Sequence, residues 1–193
     1  MKYCFHDFET GGLENASILT YYAAITDQNF NKIDEIEFFF KPKDGIYKVS
    51  MEALAINKID LMAHNKIARE IADCSPVFRD FLLKNTNYKK EKLYSAGHNV
   101  YFDNKILKKH IFPEYSEFFF KHNLDTAGLA VLLKSMGRLP ASLDISLTNL
   151  ANYYGLDTVG AHNSKIDVLL TISVLKCIIA DLNTGQKNPN LGL

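Results

Sequence analysis

An α/β fold, a five-stranded mixed sheet flanked by helices, is predicted by three observations. Three apolar runs joined by short polar turns fill residues 2–41. The chain then changes to helical periodicity interrupted by two short strand-like runs. Its 193 residues are 47% hydrophobic and 23% charged, which suits one globular domain with a core of useful size and argues against disorder. Strands first, then strands alternating with helices, imply three antiparallel strands followed by parallel ones.

In order, residues 2–9 read as a strand, Ile18–Thr26 as a second and Ile33–Lys41 as a third. The turn between the last two is Asp27–Lys32 (DQNFNK). Ser50–Ile56, His64–Ala72 and Pro76–Leu83 read as short helices, the third opening at a proline. Lys92–Ala96 reads as a strand, followed by a helix over about Tyr101–His110. His122–Asp125 is a short strand before the helix Thr126–Met136, and Leu147–Tyr154 and Lys165–Leu182 complete the set. Residues 1–182 form a single domain in this reading. Residues 183–193 (NTGQKNPNLGL) read as a flexible tail, since they have little to bury.

Charge excludes one class of function. Lys and Arg total 22, as do Asp and Glu, so bulk positive charge cannot drive binding to nucleic acid. The balance is uneven, however, with 13 acids against 9 bases over residues 1–80 and the reverse over 81–193. Lys89, Lys90 and Lys92 form one basic group, and Lys105, Lys108 and Lys109 another. Cys4, Cys74 and Cys177 are odd in number and widely spaced, which argues against a disulfide framework or a thiolate zinc site. Reduced cysteines and the lack of a signal-peptide pattern lead to an expected cytoplasmic location. The longest apolar stretch, Val168–Ala180, contains Lys176 and is too short to span a bilayer, so no membrane association is expected.

The chemistry-bearing residues fall in three places. Asp7 and Glu9 lie two apart on the first strand and therefore share a face. Two adjacent carboxylates repel, and a hard divalent cation such as Mg²⁺ or Mn²⁺ would remove that penalty. Gly11 and Gly12 follow, allowing a tight turn and close approach of a ligand to the backbone. Asp103 falls near the start of the helix that follows the fourth strand. His162 stands five residues before Asp167, a separation that puts the histidine on a loop and the aspartate in the first turns of a helix. Asn163 or Ser164 suits the N-cap of that helix.

In this order, Asp7-x-Glu9, then Asp103 after Asn99-x-x-Phe102, then His162-x₄-Asp167, the sequence resembles the DnaQ-like 3′–5′ exonuclease superfamily, of the histidine (DEDDh) class, on a ribonuclease-H-like fold. The likeness covers roughly residues 2–180 and includes Glu52-Ala53-Leu54, Leu124-Asp125-Thr126 and Ser146–Ala151. The compact length is similar to stand-alone members, including those of bacteriophages. A sister class carries tyrosine where this chain has Asn163.

The resemblance implies metal-dependent hydrolysis of single-stranded nucleic acid from a free 3′ end, DNA favoured over RNA, releasing nucleoside monophosphates. Asp7, Glu9, Asp103 and Asp167 would be ligands to two Mg²⁺ or Mn²⁺ ions, and His162 the base that takes a proton from the attacking water. Thr10, Gly11, Gly12 and Leu13 would meet the terminal nucleotide, with Asn99 and Phe102 bordering the same cleft. Lys105, Lys108 and Lys109 would track the strand's backbone, and Lys165 would reach a phosphate. An exoribonuclease and a non-catalytic nuclease-like binding module are the alternatives. No residue specifies a polymerase partner.

Overall fold

The computed structural model describes residues 1–13, 15–87 and 91–184. Lys89, Lys90 and the tail from residue 185 onward lie outside the described residues, whereas residues 183 and 184 belong to the last helix.

Five strands make one sheet: β1 (Tyr3–Thr10), β2 (Ile18–Thr26), β3 (Lys32–Phe39), β4 (Tyr94–Gly97) and β5 (Leu124–Asp125), in the spatial order β3-β2-β1-β4-β5. β1, β2 and β3 pair antiparallel, and β4 joins β1 in parallel, as β5 joins β4. β1 is thus a central strand, and its side chains alternate between two buried faces. Cys4 and Phe8 pack with Tyr21, Ala23 and Ile25 against Phe78, Phe81 and Leu82 of one helical layer. Phe5, with Tyr22, Ala24 and Ala96, packs against Val168, Ile172 and Leu175 of the other.

The first layer holds α3 (Ile71–Asn85) and α4 (Tyr101–Ile106). α4 continues into a π-helical turn, Leu107–Ile111, so the single helix expected over 101–110 is two geometries in series. α3 is continuous across Pro76, where the sequence suggested a break. Proline removes one backbone donor early in the helix. Burial of Cys74, Phe78, Phe81 and Leu82 just beyond it outweighs that loss. The shorter α1 (Met51–Asn57) and α2 (Leu61–Ile67) precede this layer, and α5 (Tyr115–Phe118) closes it.

The second layer is α8 (Ser164–Thr184), with α6 (Thr126–Ser135) and α7 (Leu147–Tyr153) outside it. Leu170, Val174 and Ile178 of α8 face a third apolar cluster with Ala130, Leu133 and Leu150. Burial on both sides explains why α8 reads as a near-continuous apolar run without being a membrane segment. Among the described residues no helix is long and apolar enough to cross a membrane.

Candidate active site

The acids come together where β1 outruns β4. The two strands pair only at Tyr3, Cys4 and Phe5, so the second half of β1 borders a gap in the sheet. Asp7 and Glu9 project on the α8 side, continuing the face on which Phe5 is core. α8 starts beside them. Asn163 caps it, its Oδ1 accepting from the Lys165 and Ile166 amides at 3.1 and 3.3 Å. A buried pair of hydroxyls, Thr20 and Ser164 at 2.9 Å, fastens the helix start to β2 directly opposite Glu9. Asp167 follows in the first turn. One oxygen each from Asp7, Glu9 and Asp167 lies within 4.8 Å of the others.

Asp103 stands beside that trio rather than in it. It is buried on α4, and its Oδ1 accepts the Phe8 backbone N–H at 3.0 Å. Behind it, Asn104 Oδ1 accepts from Ser95 Oγ at 2.9 Å, tying α4 to β4. Ser95 also meets His6 Nε2 at 2.9 Å. Burial holds the His6 imidazole down to about 3, so it is a neutral strut behind the acids.

His162 sits on the loop before α8 with φ of 68°, a left-handed conformation uncommon outside glycine. Its backbone N–H donates to Asp167 Oδ1 at 3.2 Å, while its exposed ring forms no hydrogen bond among the described residues.

Electrostatics test whether this set suits a cation. Burial, then repulsion from Asp103, Asp167 and Glu9, pushes the Asp7 carboxyl well above the usual range. Burial and Asp167 raise Glu9 to about 7. Burial raises Asp103 to about 8 against the pull of the Phe8 amide, and burial raises Asp167 too. All four acids are thus destabilised as anions, and the converging atoms are all hard oxygens. A divalent cation of the Mg²⁺ or Mn²⁺ type fits such a donor set.

A cleft of about 740 Å³ opens beside Glu9. Thr10, Gly11, Gly12 and Leu13 line it, and Leu13 is 89% exposed. Gly11 works differently from the expectation that a ligand would approach its backbone. A Cβ there would lie 2.5 Å from the Lys48 carbonyl oxygen and 2.7 Å from Val49 Cγ1, so the close approach is by the protein's own chain. Phe102 borders an adjoining groove shared with Thr10, Gly12 and Leu13. Asn99 does not line either space. It lies on the loop after β4 with φ of 57°, its N–H donating to Asp125. Lys165 is engaged elsewhere, its Nζ 3.0 Å from Glu35.

The sequence predicts a helix over Ser50–Ile56 without placing it at the site; in the fold that helix, α1 with Ser50, Ala53, Ile56 and Asn57, forms the far wall of the cleft. Ser50 caps that helix and donates its N–H to the Gly11 carbonyl, and Asn57 Nδ2 donates to the Thr10 carbonyl at 3.3 Å. The available signal was an N-capped helix carrying apolar side chains without enough of them for a core stripe. No residue of α1 is buried.

The described fold is similar to exonuclease I (TM-score 0.74, 23% identity, over 98% of this chain and 42% of that one). It is also similar to the zinc-bound form of the E. coli exonuclease I complex with single-stranded DNA (0.72, 22%, 98% and 41%). Product-bound exonuclease I is a further match (0.70, 21%, 95% and 44%). This chain therefore spans about two fifths of the length of the structures it resembles. No curated protein matches it by sequence. The family model RNase_T, described as an exonuclease, matches residues 4–175. With that match over nearly the whole chain, and the acid-bearing mixed sheet beneath it, the chain belongs to the RNase_T exonuclease family of the DnaQ-like superfamily, on a ribonuclease-H-like fold.

Proposed function

We propose that this chain removes nucleoside monophosphates one at a time from the 3′ end of single-stranded nucleic acid, with DNA as the favoured substrate. The observation that carries the reading is the convergence of Asp7, Glu9 and Asp167 within 4.8 Å at one end of a cleft. The DNA-bound and product-bound forms of exonuclease I support it by resemblance.

Asp7, Glu9 and Asp167 would hold Mg²⁺ or Mn²⁺, and Asp103 would complete a second position. Two such ions supply a nucleophile at neutral pH and charge neutralisation on the phosphate. His162 is the general base: its exposed ring, on a loop beside Asp167, accepts the proton of the attacking water. Thr10 to Leu13 meet the terminal nucleotide, and Phe102 borders the strand behind it. Its three unpaired cysteines suit a cytoplasmic location.

The test uses 5′-labelled linear and circular oligonucleotides, DNA and RNA, with Mg²⁺, Mn²⁺ or chelator. A descending ladder from linear DNA, with the circle resistant and chelated samples inert, is expected. Cleavage of the circle at a comparable rate would overturn the polarity. Faster digestion of RNA would reassign the substrate, and binding without turnover would make the chain a binding module.

A further inference from the structure

We infer that single-stranded DNA leaves the acidic centre through a second groove, held there by Lys48, Lys105 and Lys109. This rests on the exonuclease reading and extends it to the strand beyond the terminal nucleotide. The groove, about 570 Å³, runs between the loop after β1 and the outer side of α4 with its π-helical turn. It adjoins the acid-bearing cleft, sharing Thr10, Gly12, Leu13, Asn15, Ala16 and Lys48 with it, so one strand can occupy both.

The two spaces differ in charge. The cleft is bordered by Glu9 and Glu52 together with the shared Lys48. Among the described residues no carboxylate lines the groove, and Lys48, Lys105, Lys109 and His110 do. None of those three lysines has an ion pair or side-chain hydrogen bond among the described residues. Some other lysines are occupied, Lys32 and Lys165 by Glu35, Lys84 by Asp34, Lys92 by the Ser116 carbonyl and Lys134 by the Leu143 carbonyl, so what marks these three is that they line one groove together.

Lys105 and Lys109 reach the same groove because they stand four apart along α4 and its π-helical turn. Lys108, adjacent in sequence, is turned to the other side, its Nζ 4.4 Å above the Tyr115 ring. This separates it from the partners the sequence suggested for it. The walls between the lysines are apolar, from Phe102, Ile106 and Ile18, and Leu13 stands free at the junction of the two spaces. Cations alternating with apolar surface suit a single strand, whose phosphates and bases present those two characters in turn. Single-stranded DNA is the occupant that the charge and the adjoining acidic cleft favour.

The experiment measures binding, not turnover. Fluorescence anisotropy of 5′-labelled dT₁₂ and dT₃ is recorded in chelator over a salt series, for the parent chain and for Lys105→Gln/Lys109→Gln, Lys48→Gln and Lys108→Gln. Each lost phosphate contact removes about 0.7 from the slope of log K against log salt for a single strand. The double variant is therefore expected to lose about 1.4 from the slope with dT₁₂ and at least tenfold in affinity. Lys48→Gln should lose about 0.7, and with dT₃ the double variant should change less than twofold. Lys108→Gln should behave as the parent. An unchanged slope in the double variant would overturn the inference, as would an equal loss from Lys108→Gln, which would mean diffuse charge only. Lysine dependence with rU₁₂ but not with dT₁₂ would overturn the choice of DNA. The exonuclease reading is scored apart, by the ladder from linear DNA: digestion with an unchanged slope removes only the groove, and the predicted slopes without digestion remove only the activity.

Discussion

The two walls of the cleft are built by opposite means. The acidic wall reaches the cleft through β1 and is braced behind by α4 and α8, elements sunk in the core by Phe5, Phe8, Leu107 and Val168. Its carboxylates hang from a frame that has no room to shift. The facing wall, α1, buries none of its residues and is attached through backbone contacts to Gly11 and Thr10. Ile56 is 53% exposed on it, and Met51 81%. On the proposed function, chemistry that needs fixed distances would fall on the core-bound side, and the surface that accepts any of several bases on the exposed one.

If that contrast is right, substitutions on the two sides separate into different kinds of failure. The largest effect is expected from Asp7→Ala. Hydrolysis should fall by more than the 10²–10⁴ of a single acid–base group. Melting in chelator should rise at the same time, because a carboxyl disfavoured by burial and by crowding from Asp103, Asp167 and Glu9 has been removed. A lower melting temperature would mean that Asp7 is held by unseen favourable contacts.

Next, His162→Ala should lower kcat by about 10²–10⁴ while Mg²⁺ affinity measured by calorimetry stays within twofold. Loss of metal binding with an unchanged pH–rate profile would make the histidine a ligand or a structural residue.

Gly11→Ala tests the seam between the walls. Its Cβ would meet the Lys48 carbonyl, forcing α1 away from β1, at a cost of about 1–3 kcal/mol in stability. KM should rise more than kcat falls, since the acids are not on the displaced side.

The acidic wall alone predicts a pH effect. In chelator, Glu9 at about 7 and Asp103 at about 8 bind protons more tightly folded than unfolded, where they titrate near 4.5 and 3.8. Stability is therefore fully present below those unfolded values and is lost as pH rises through about 7 to 8. The melting temperature should fall over that window, and saturating Mg²⁺ should flatten the fall. The smallest change belongs to Ile56→Ser, with stability altered within about 0.5 kcal/mol and only KM affected.

The acidic wall was the part legible in the sequence, because its logic is local. A two-residue spacing on a strand fixes the face of Asp7 and Glu9, and a loop-to-helix spacing fixes His162 and Asp167 relative to each other. The facing wall was not, because it depends on where residues 48–57 return in space, which no local spacing encodes. Gly11 illustrates the limit. A glycine beside acids reads as room for a ligand, and only the fold shows the Lys48 carbonyl filling that room. Lys165 is similar: its partner Glu35 is 130 residues away. Pro76 misled in the opposite direction, since a local rule against helix was outweighed by long-range burial of Phe78 and Leu82.

The bond from the Phe8 amide to Asp103 has a consequence for how this site is probed. Among the described residues β1 pairs with β4 no further than Phe5, and the Phe8 amide, facing that side without a strand partner, is received by the Asp103 carboxylate. Asp103 therefore does the work of a missing strand as well as any work on a cation. Removing it with alanine strands a buried donor and injures the sheet that carries Asp7 and Glu9. Inactivity of that variant would report on carpentry rather than on chemistry. Asparagine keeps an oxygen for the amide while discarding the charge, and it is the substitution that can tell the two duties apart.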